Sequence, residues 1–133
     1  MLLAQSRHET ALGKEWMRVK ISQLHLSDFM LFQQADFQWS PGINVICGTN
    51  STGKTALIKL MYSLHKSYEQ WNSTETKEAA VNRFSEKLCG VFRPDNGKVG
   101  RLVRRKQGNA QMTASMGYEN GTSLDVNFGN RAS

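Results

Sequence analysis

Residues 48–55 read GTNSTGKT, and the types and spacing of these residues suit the binding of phosphate groups. They match the pattern G-x-x-x-x-G-K-[ST] through Gly48, Gly53, Lys54 and Thr55. A loop that turns its backbone N–H groups inward at the start of a helix offers hydrogen-bond donors and a favourable dipole to negative charge. The pattern therefore predicts a loop that cradles a polyphosphate.

Each residue type in this pattern has a physical role. Gly48 and Gly53 permit the tight turn and the close approach of the backbone to phosphate. The Lys54 ammonium supplies a mobile positive charge for the β- and γ-phosphates, and the Thr55 hydroxyl is placed to ligate Mg²⁺. The predicted cofactor-binding residues are Gly48, Asn50, Ser51, Thr52, Gly53, Lys54, Thr55 and Ala56, with Thr55 as the metal ligand.

The flanking elements decide between such a site and a glycine-rich connection that carries Lys-Thr by chance. A phosphate loop needs a strand directly before it and a helix directly after it. INVIC, residues 43–47, is almost continuously apolar, which predicts a central strand buried on both faces. After the loop, apolar residues recur at the spacing of a helix that ends near residues 65–68, namely Leu57, Leu60, Met61 and Leu64. A dinucleotide-binding loop is excluded, because no G-x-G-x-x-G occurs at this turn.

Two further strands are predicted ahead of the loop and a second helix behind it. Apolar and polar residues alternate broadly over residues 18–26, which predicts a strand. The alternation is broken between Ile21 and Leu24, which indicates an irregularity in this strand. Residues 35–40 predict a second short strand. Residues 76–88 have the spacing of a helix, and Gly90 fits as its stop signal.

The remainder of the chain predicts β structure. Three runs have strand character, residues 99–105, 109–118 and 122–128. Asn120-Gly121 between the last two is a strong hairpin signal, and the stripe of methionine and aromatic residues along them is assigned to the core.

Length and composition limit the class of protein. A chain of 133 residues with 39% hydrophobic residues is long enough for one domain with a core and too short for two. Two cysteines without C-x-x-C spacing fit a reducing cytosol better than secretion. There is no signal-peptide core and no apolar run of membrane-spanning length, so the sequence predicts a cytoplasmic protein with no membrane partner.

The charge is basic and unevenly placed. Lysine and arginine exceed aspartate and glutamate by 17 to 11, giving a net charge of +6 that favours anionic partners. Five of the nine residues in KVGRLVRRK are basic: Lys98, Arg101, Arg104, Arg105 and Lys106. These residues fit two interpretations equally. They could form a solvated strand face whose charge keeps another chain from pairing with the sheet edge, or they could contact the phosphates of a nucleic acid.

The order of features resembles a particular group of ATPases. The segment ISQLHLSDFMLFQQADFQWSPGINVICGTNSTGKTALIKLMYSL looks like the N-terminal segment of ABC-type P-loop ATPases of the SMC, RecF, RecN and OLD families. Those families open with a strand, an N-F-x-x-F turn, a short strand, a G-x-N-x-I-x-G-x-N approach and the P-loop helix. The matching residues here are Phe29, Phe32, Gly42, Asn44, Ile46 and Asn50.

The resemblance implies an α/β fold with an α+β mix. It would be the N-terminal lobe of an ABC-type head, with a central strand, the P-loop helix and antiparallel β-hairpins. On this interpretation residues 1–17 form an N-terminal arm and residues 18–133 form part of an ATP-binding head domain. The implied cofactors are ATP and Mg²⁺, and the implied partners are the remainder of the head or a second head in a head-to-tail dimer, with DNA as a further partner.

Three positions depart from the pattern of the group. Asp28 stands where the group often has Asn, and Met30 stands where many members have a basic residue that reaches the nucleotide. Ser51 replaces the Gly common in SMC proteins, which favours the OLD-like and RecF-like relatives.

Residues for hydrolysis are not found in the sequence. Phosphoryl transfer needs a second Mg²⁺ anchor and a group that orients the attacking water, and in such families an apolar strand ending in Asp-Glu supplies them. No run of four apolar residues here is followed by an acid, and there is no Ser-x-Gly-Gly signature. Asp125 lies in an alternating hairpin strand and Gln107 in a turn. We therefore expect the N-terminal part of a longer ATPase, which binds ATP without hydrolysing it alone.

Two other functions fit parts of the sequence. The first is a basic nucleic-acid-binding module in which the Lys98 to Lys106 stripe dominates and the P-loop is vestigial. The second is a small P-loop kinase, although such enzymes usually place the loop after a single strand.

Overall fold

The computed structural model describes residues 2–3 and 19–132, which form one antiparallel sheet covered by two helices. The sheet has the strand order β1-β5-β4-β2-β3, and every neighbouring pair is antiparallel. The strands are β1 (Leu2–Leu3), β2 (Ile21–Phe29), β3 (Phe32–Gln38), β4 (Gln111–Tyr118) and β5 (Ser123–Gly129). The helices are α1 (Lys54–Glu69) and α2 (Lys77–Phe92). The predicted N-terminal arm, residues 1–17, lies outside the described residues except for β1.

Strand β2 lies inside the sheet, where it pairs with the edge strand β3 on one side and with β4 on the other. Its register shifts between Ile21 and Gln23, which confirms the irregularity predicted from the spacing of apolar residues. Leu24 and Leu26 are buried on one face of the strand, and His25 between them is only half-buried on the other. One face of the sheet therefore carries the core, and the other is polar.

The β4–β5 hairpin confirms the prediction made from Asn120-Gly121. Gly121 has a φ of +82°, a conformation that favours glycine, and the Tyr118 N–H donates to the Thr122 carbonyl at 2.9 Å to close the turn. The predicted methionine stripe is core, because Met112 and Met116 are fully buried.

Helix α1 covers much of the apolar face of the sheet. Leu57, Leu60 and Leu64 are all buried in the core, as their spacing predicts. The helix begins at Lys54, directly after the glycine-bounded loop, and ends one residue beyond the predicted end.

Helix α2 completes the cover, with Phe84 and Leu88 buried. Its start is capped by Thr76, whose hydroxyl accepts a hydrogen bond from the Ala79 N–H at 3.2 Å. The prediction that Gly90 ends the helix is wrong, because the helix continues to Phe92 and Arg93 takes the left-handed conformation with a φ of +49°.

Residues 43–47 are not a strand, so the predicted central strand is wrong for this chain. In the described residues no strand pairs with this segment, and Ile43 and Val45 are 92% and 77% exposed. Its conformation is held locally by Asn44, whose side chain donates to the Ser40 carbonyl at 2.9 Å and accepts from the Ser40 N–H at 2.8 Å.

The basic segment is also not the strand predicted for residues 99–105. Val99–Leu102 form a 3-10 helix, and only Val103 makes a β-bridge, to Phe29. Gly100 in this helix packs closely against the backbone of residue 130, because an added Cβ would lie 2.5 Å from the Asn130 carbonyl oxygen. Among the described residues, none of the helices has the length and apolarity needed to cross a bilayer.

The far end of α1 is joined to the β4–β5 hairpin by aromatic contacts. The Tyr68 ring stacks on Tyr118 with centroids 4.1 Å apart, and the Tyr68 hydroxyl hydrogen-bonds Thr122 Oγ1 at 2.7 Å. His65 Nδ1 lies 3.3 Å from the Tyr118 hydroxyl. Tyr118 is 3% exposed, and burial, with smaller contributions from Tyr68 and Glu69, raises its pKa above the ordinary value.

Replacing Leu60 by Ala should destabilise the fold. The side chain is fully buried, so its loss leaves a cavity, and the free energy of unfolding should fall by about 2–5 kcal/mol. Ile58→Ala on the same helix removes a side chain that is 55% exposed and should cost less than about 0.5 kcal/mol. Urea denaturation measures both variants, and equal losses would contradict the placement of the core.

Tyr118 should make stability depend on pH in the alkaline range. Because the fold raises its pKa, the fold favours the protonated phenol. This contribution is fully present below about pH 10, the ordinary pKa of tyrosine, and is lost as pH rises toward the raised pKa, by at most about 1.4 kcal/mol per pH unit. Tyr118→Phe should reduce the alkaline decline measured by urea denaturation. Tyr62→Phe, at a position 52% exposed, should leave the decline unchanged.

Candidate functional site

The glycine-bounded loop lies at the N-terminus of α1 and lines a cleft of about 300 Å³. The cleft is bordered by Leu31 and by most of the residues predicted from the motif. The latter are Asn50, Ser51, Thr52, Gly53, Lys54, Thr55 and Ala56. The structure thus brings the predicted residues together around one opening, and it adds Leu31 from a different part of the chain.

Both glycines of the motif are required by close packing. Gly53 has a φ of +90°, and a Cβ there would lie 2.9 Å from the ring of Phe32. At Gly48 an added Cβ would lie 2.9 Å from Thr52 Oγ1. Gly53 therefore suits both the left-handed backbone and the contact with β3, and at Gly48 a larger residue would require the Thr52 side chain to move.

The Lys54 ammonium is bound by the loop itself. Its Nζ donates to the carbonyl oxygens of Gly48 at 2.7 Å and Thr49 at 2.5 Å, and it lies 3.3 Å from Thr52 Oγ1. The Thr52 hydroxyl also donates to the Thr49 carbonyl at 2.9 Å. The positive charge is consequently held over the loop, next to the backbone that forms the cleft.

The helix terminus adds further attraction for an anion. The first turn of α1 contains no acidic residue, and Gly53 provides no side-chain cap, so the helix dipole is not offset by a nearby carboxylate. The exposed Thr55 is the second residue of this turn. Within the described ranges, no group of three or more His, Cys, Asp or Glu side chains is arranged to hold a metal ion. The assignment of Thr55 to Mg²⁺ stays a prediction.

The turn between β2 and β3 borders the same cleft, which the motif did not predict. Leu31 in this turn is 58% exposed and lines the opening, and Phe32 beyond it lies against Gly53. The signal in the sequence was the family resemblance, because Met30 in this turn stands where many members have a basic residue that reaches the nucleotide.

The five basic residues predicted as nucleic-acid contacts separate into two groups. Arg104 Nη1 donates to the Leu31 carbonyl at 2.9 Å, and Lys106 Nζ forms an ion pair with Asp28 Oδ2 at 2.7 Å, so both contact the β2–β3 turn. The other three side chains are exposed, namely Lys98, Arg101 and Arg105.

A second, larger cleft of about 640 Å³ lies between residues 39–46 and the exposed side of α1. Trp39, Ile46 and Met61 give it an apolar lining, and Lys20 and His65 lie at its border. This cleft is continuous with the exposed apolar segment at residues 43–47.

The sequence matches the family model described as AAA domain over residues 23–98, which is more than half of the chain. The match includes β2 from Gln23 onward, β3, the loop and both helices.

Several curated proteins are similar to this chain. The DNA replication and repair protein RecF of Streptococcus equi subsp. zooepidemicus (strain MGCS10565) is 27% identical over 99 residues, which cover 65% of this chain and 27% of that protein. RecF of Limosilactobacillus reuteri (strain DSM 20016) is 34% identical over 77 residues, which cover 53% of this chain and 21% of that protein. RecF of Renibacterium salmoninarum is 46% identical over 41 residues, covering 31% of this chain and 10% of that protein.

These matches span about a quarter or less of the relatives' length. They agree with the resemblance carried by Phe29, Phe32 and the loop motif. The chain belongs to the AAA domain family and corresponds to the N-terminal segment of an ABC-type, SMC/RecF-like P-loop ATPase.

Proposed function

We propose that this chain is the ATP-binding part of a RecF-like ATPase and holds the triphosphate of Mg-ATP in the loop of residues 48–55. The observation that carries the proposal is the position of Lys54, whose ammonium lies over the loop at the N-terminus of α1. Backbone N–H groups, the helix dipole and this charge all favour a phosphate chain.

The binding step follows from these contacts. When phosphate oxygens enter the cleft, the Lys54 ammonium exchanges the carbonyl oxygens of Gly48 and Thr49 for them. Phosphate carries more negative charge than a carbonyl, so the exchanged hydrogen bonds are stronger. The Thr55 hydroxyl would ligate Mg²⁺, which supplies charge neutralisation between the phosphates.

We further propose that these residues bind ATP without hydrolysing it. Asp125 is half-buried on β5, and its carboxylate accepts a hydrogen bond from Ser123 at 3.4 Å within the same strand. Hydrolysis would then depend on acids and a signature loop from the rest of the head or from a second head.

The rest of the head would also cover the exposed apolar segment at residues 43–47. Residues 43–47 carry Ile43 and Val45 in the open, next to the apolar cleft along α1. Burial of such a surface is favourable in proportion to its area, so we propose that the remainder of the head packs here. The parent protein would act on DNA, as the name of its RecF relatives states for them.

Replacing Lys54 by Ala should lower the affinity for Mg-ATP by about tenfold or more, because at least one hydrogen bond between charged groups is removed. Isothermal titration of the 133-residue chain measures this. The control is Lys66→Ala, which removes the same charge from the other end of α1, where Lys66 pairs with Glu69. Unchanged ATP affinity in the Lys54 variant would refute the site.

A nucleic-acid contact is a second proposal, and the exposure of Lys98, Arg101 and Arg105 favours it. Replacing all three by Gln should weaken binding to duplex DNA. It should also flatten the dependence of log K on log salt by about 0.9 for each DNA phosphate that the variant no longer neutralises. Fluorescence anisotropy at several salt concentrations measures both quantities. DNA affinity that does not change with salt would exclude such contacts.

A further inference from the structure

We propose that two copies of this chain associate through β3, with the two β3 strands paired antiparallel about Ala35. The partner is a second copy of the chain, and the contact is the outer edge of the sheet. This association needs no nucleotide, so it goes beyond the proposed binding of ATP.

The outer edge of β3 is open to pairing. The strand ends the order of the sheet, and among the described residues it pairs with β2 alone. Such an edge presents a row of unpaired N–H and C=O groups that another strand can join. Many proteins protect an edge with a bulge, a proline or lysine side chains. Strand β3 reads FQQADFQ, without proline or lysine, and its pairing with β2 has no register shift.

The backbone groups of β3 alternate between facing β2 and facing outward. The Trp39 N–H, directly after the strand, donates to the Ser22 carbonyl at 2.9 Å. Because direction alternates along an antiparallel strand, the backbone groups of Ala35 also face β2, whereas those of Gln34 and Asp36 face outward. A second strand would therefore bond to Gln34 and Asp36.

The polar side chains of the edge complement each other in one register. When the two Ala35 residues lie opposite each other, Gln34 of each copy lies opposite Asp36 of the other, and each such pair exchanges both backbone hydrogen bonds. The Gln34 amide can then donate to the Asp36 carboxylate. His25 Nδ1 bonds Asp36 Oδ1, so Oδ2 is the oxygen that accepts. Pairing about Asp36 instead would oppose two like charges, which is destabilising.

The apolar face of the strand fits the same register. Ala35 and Phe37 are half-buried on this face, and the Phe37 ring stacks on Trp39 with centroids 5.6 Å apart. Residues diagonal to one another across paired strands lie within reach of aromatic side chains. The small Ala35 side chains at the centre therefore leave space for the Phe37 ring of each copy, and pairing buries apolar surface.

The interface is small, so we expect a weak dimer. Two paired strands of seven residues bury less area than a standard interface, and the dissociation constant should be weaker than about 1 μM. Analytical ultracentrifugation of the 133-residue chain without nucleotide measures this association. The average mass should rise with concentration from 15.0 kDa toward twice that value.

Opposite charges at position 34 test the register. Gln34→Lys places a positive charge opposite Asp36 and should tighten the dimer by about two- to tenfold, whereas Gln34→Asp opposes two carboxylates and should weaken it by a similar factor. The matched controls are Thr113→Lys and Thr113→Asp. They make the same charge changes at an exposed position on the same face, on β4 inside the sheet, and should leave the association unchanged.

A cross-link tests the centre of the pairing directly. With Cys47 and Cys89 replaced by Ala, Ala35→Cys should give a disulfide-linked dimer on oxidation with diamide, because residues directly opposite each other lie within disulfide reach. Gln33→Cys in the same background should not, since its counterpart would lie about 13 Å away along the paired strand. Non-reducing gel electrophoresis measures both variants.

Four outcomes would overturn the inference. The first is a mass that stays at 15.0 kDa up to millimolar concentration. The second is a pair of folded Gln34 variants, judged by their thermal midpoints, that associate like the Thr113 controls. The third is equal cross-linking at positions 33 and 35. The fourth is loss of the dimer in Val45→Asp, which would assign the association to the exposed apolar segment. If Gln34→Asp does not fold, Gln34→Lys and the cross-link decide.

Discussion

The need to cover one apolar face of the antiparallel sheet determines the rest of the structure. Leu57, Leu60 and Leu64 of α1 bury themselves against that face, which fixes where the helix lies and where it begins. Because α1 begins at Lys54, its N-terminus comes to the end of the sheet where β2 turns into β3. The contact between Gly53 and the Phe32 ring is the consequence, and it joins the loop to the hairpin.

The polar interactions of the site follow from this placement. The loop keeps the Lys54 charge by offering it two of its own carbonyl oxygens, so the charge stays at the cleft. The composition of the basic segment is equally compatible with side chains that all face solvent. In the structure this segment places Arg104 and Lys106 against the β2–β3 turn. Two of the five basic side chains therefore contact the turn that borders the cleft, and Lys98, Arg101 and Arg105 are exposed.

The segment at residues 43–47 is also exposed, but its side chains are mainly apolar and none is charged. Its apolar composition is typical of a strand buried on both faces, yet Ile43 and Val45 face solvent in the part of the chain that the structure describes. A central strand exists only when neighbours supply hydrogen bonds on both sides, and those neighbours are distant in sequence. The chain spans about a quarter or less of the length of the RecF relatives that it matches.

The sequence by itself determined the features that depend on local interactions. The sequence predicted the helix that begins at Lys54, the turn at Asn120-Gly121 and the glycine-bounded turn of the loop. Each of these depends on residues a few positions apart. Tertiary structure decided the rest. The 3-10 helix at Val99–Leu102 and the hydrogen bond from Arg104 to Leu31, 73 residues apart, depend on which segments pack together. Packing between distant segments leaves no periodic pattern in the sequence, so only the folded chain shows that the basic segment contacts the β2–β3 turn that borders the cleft.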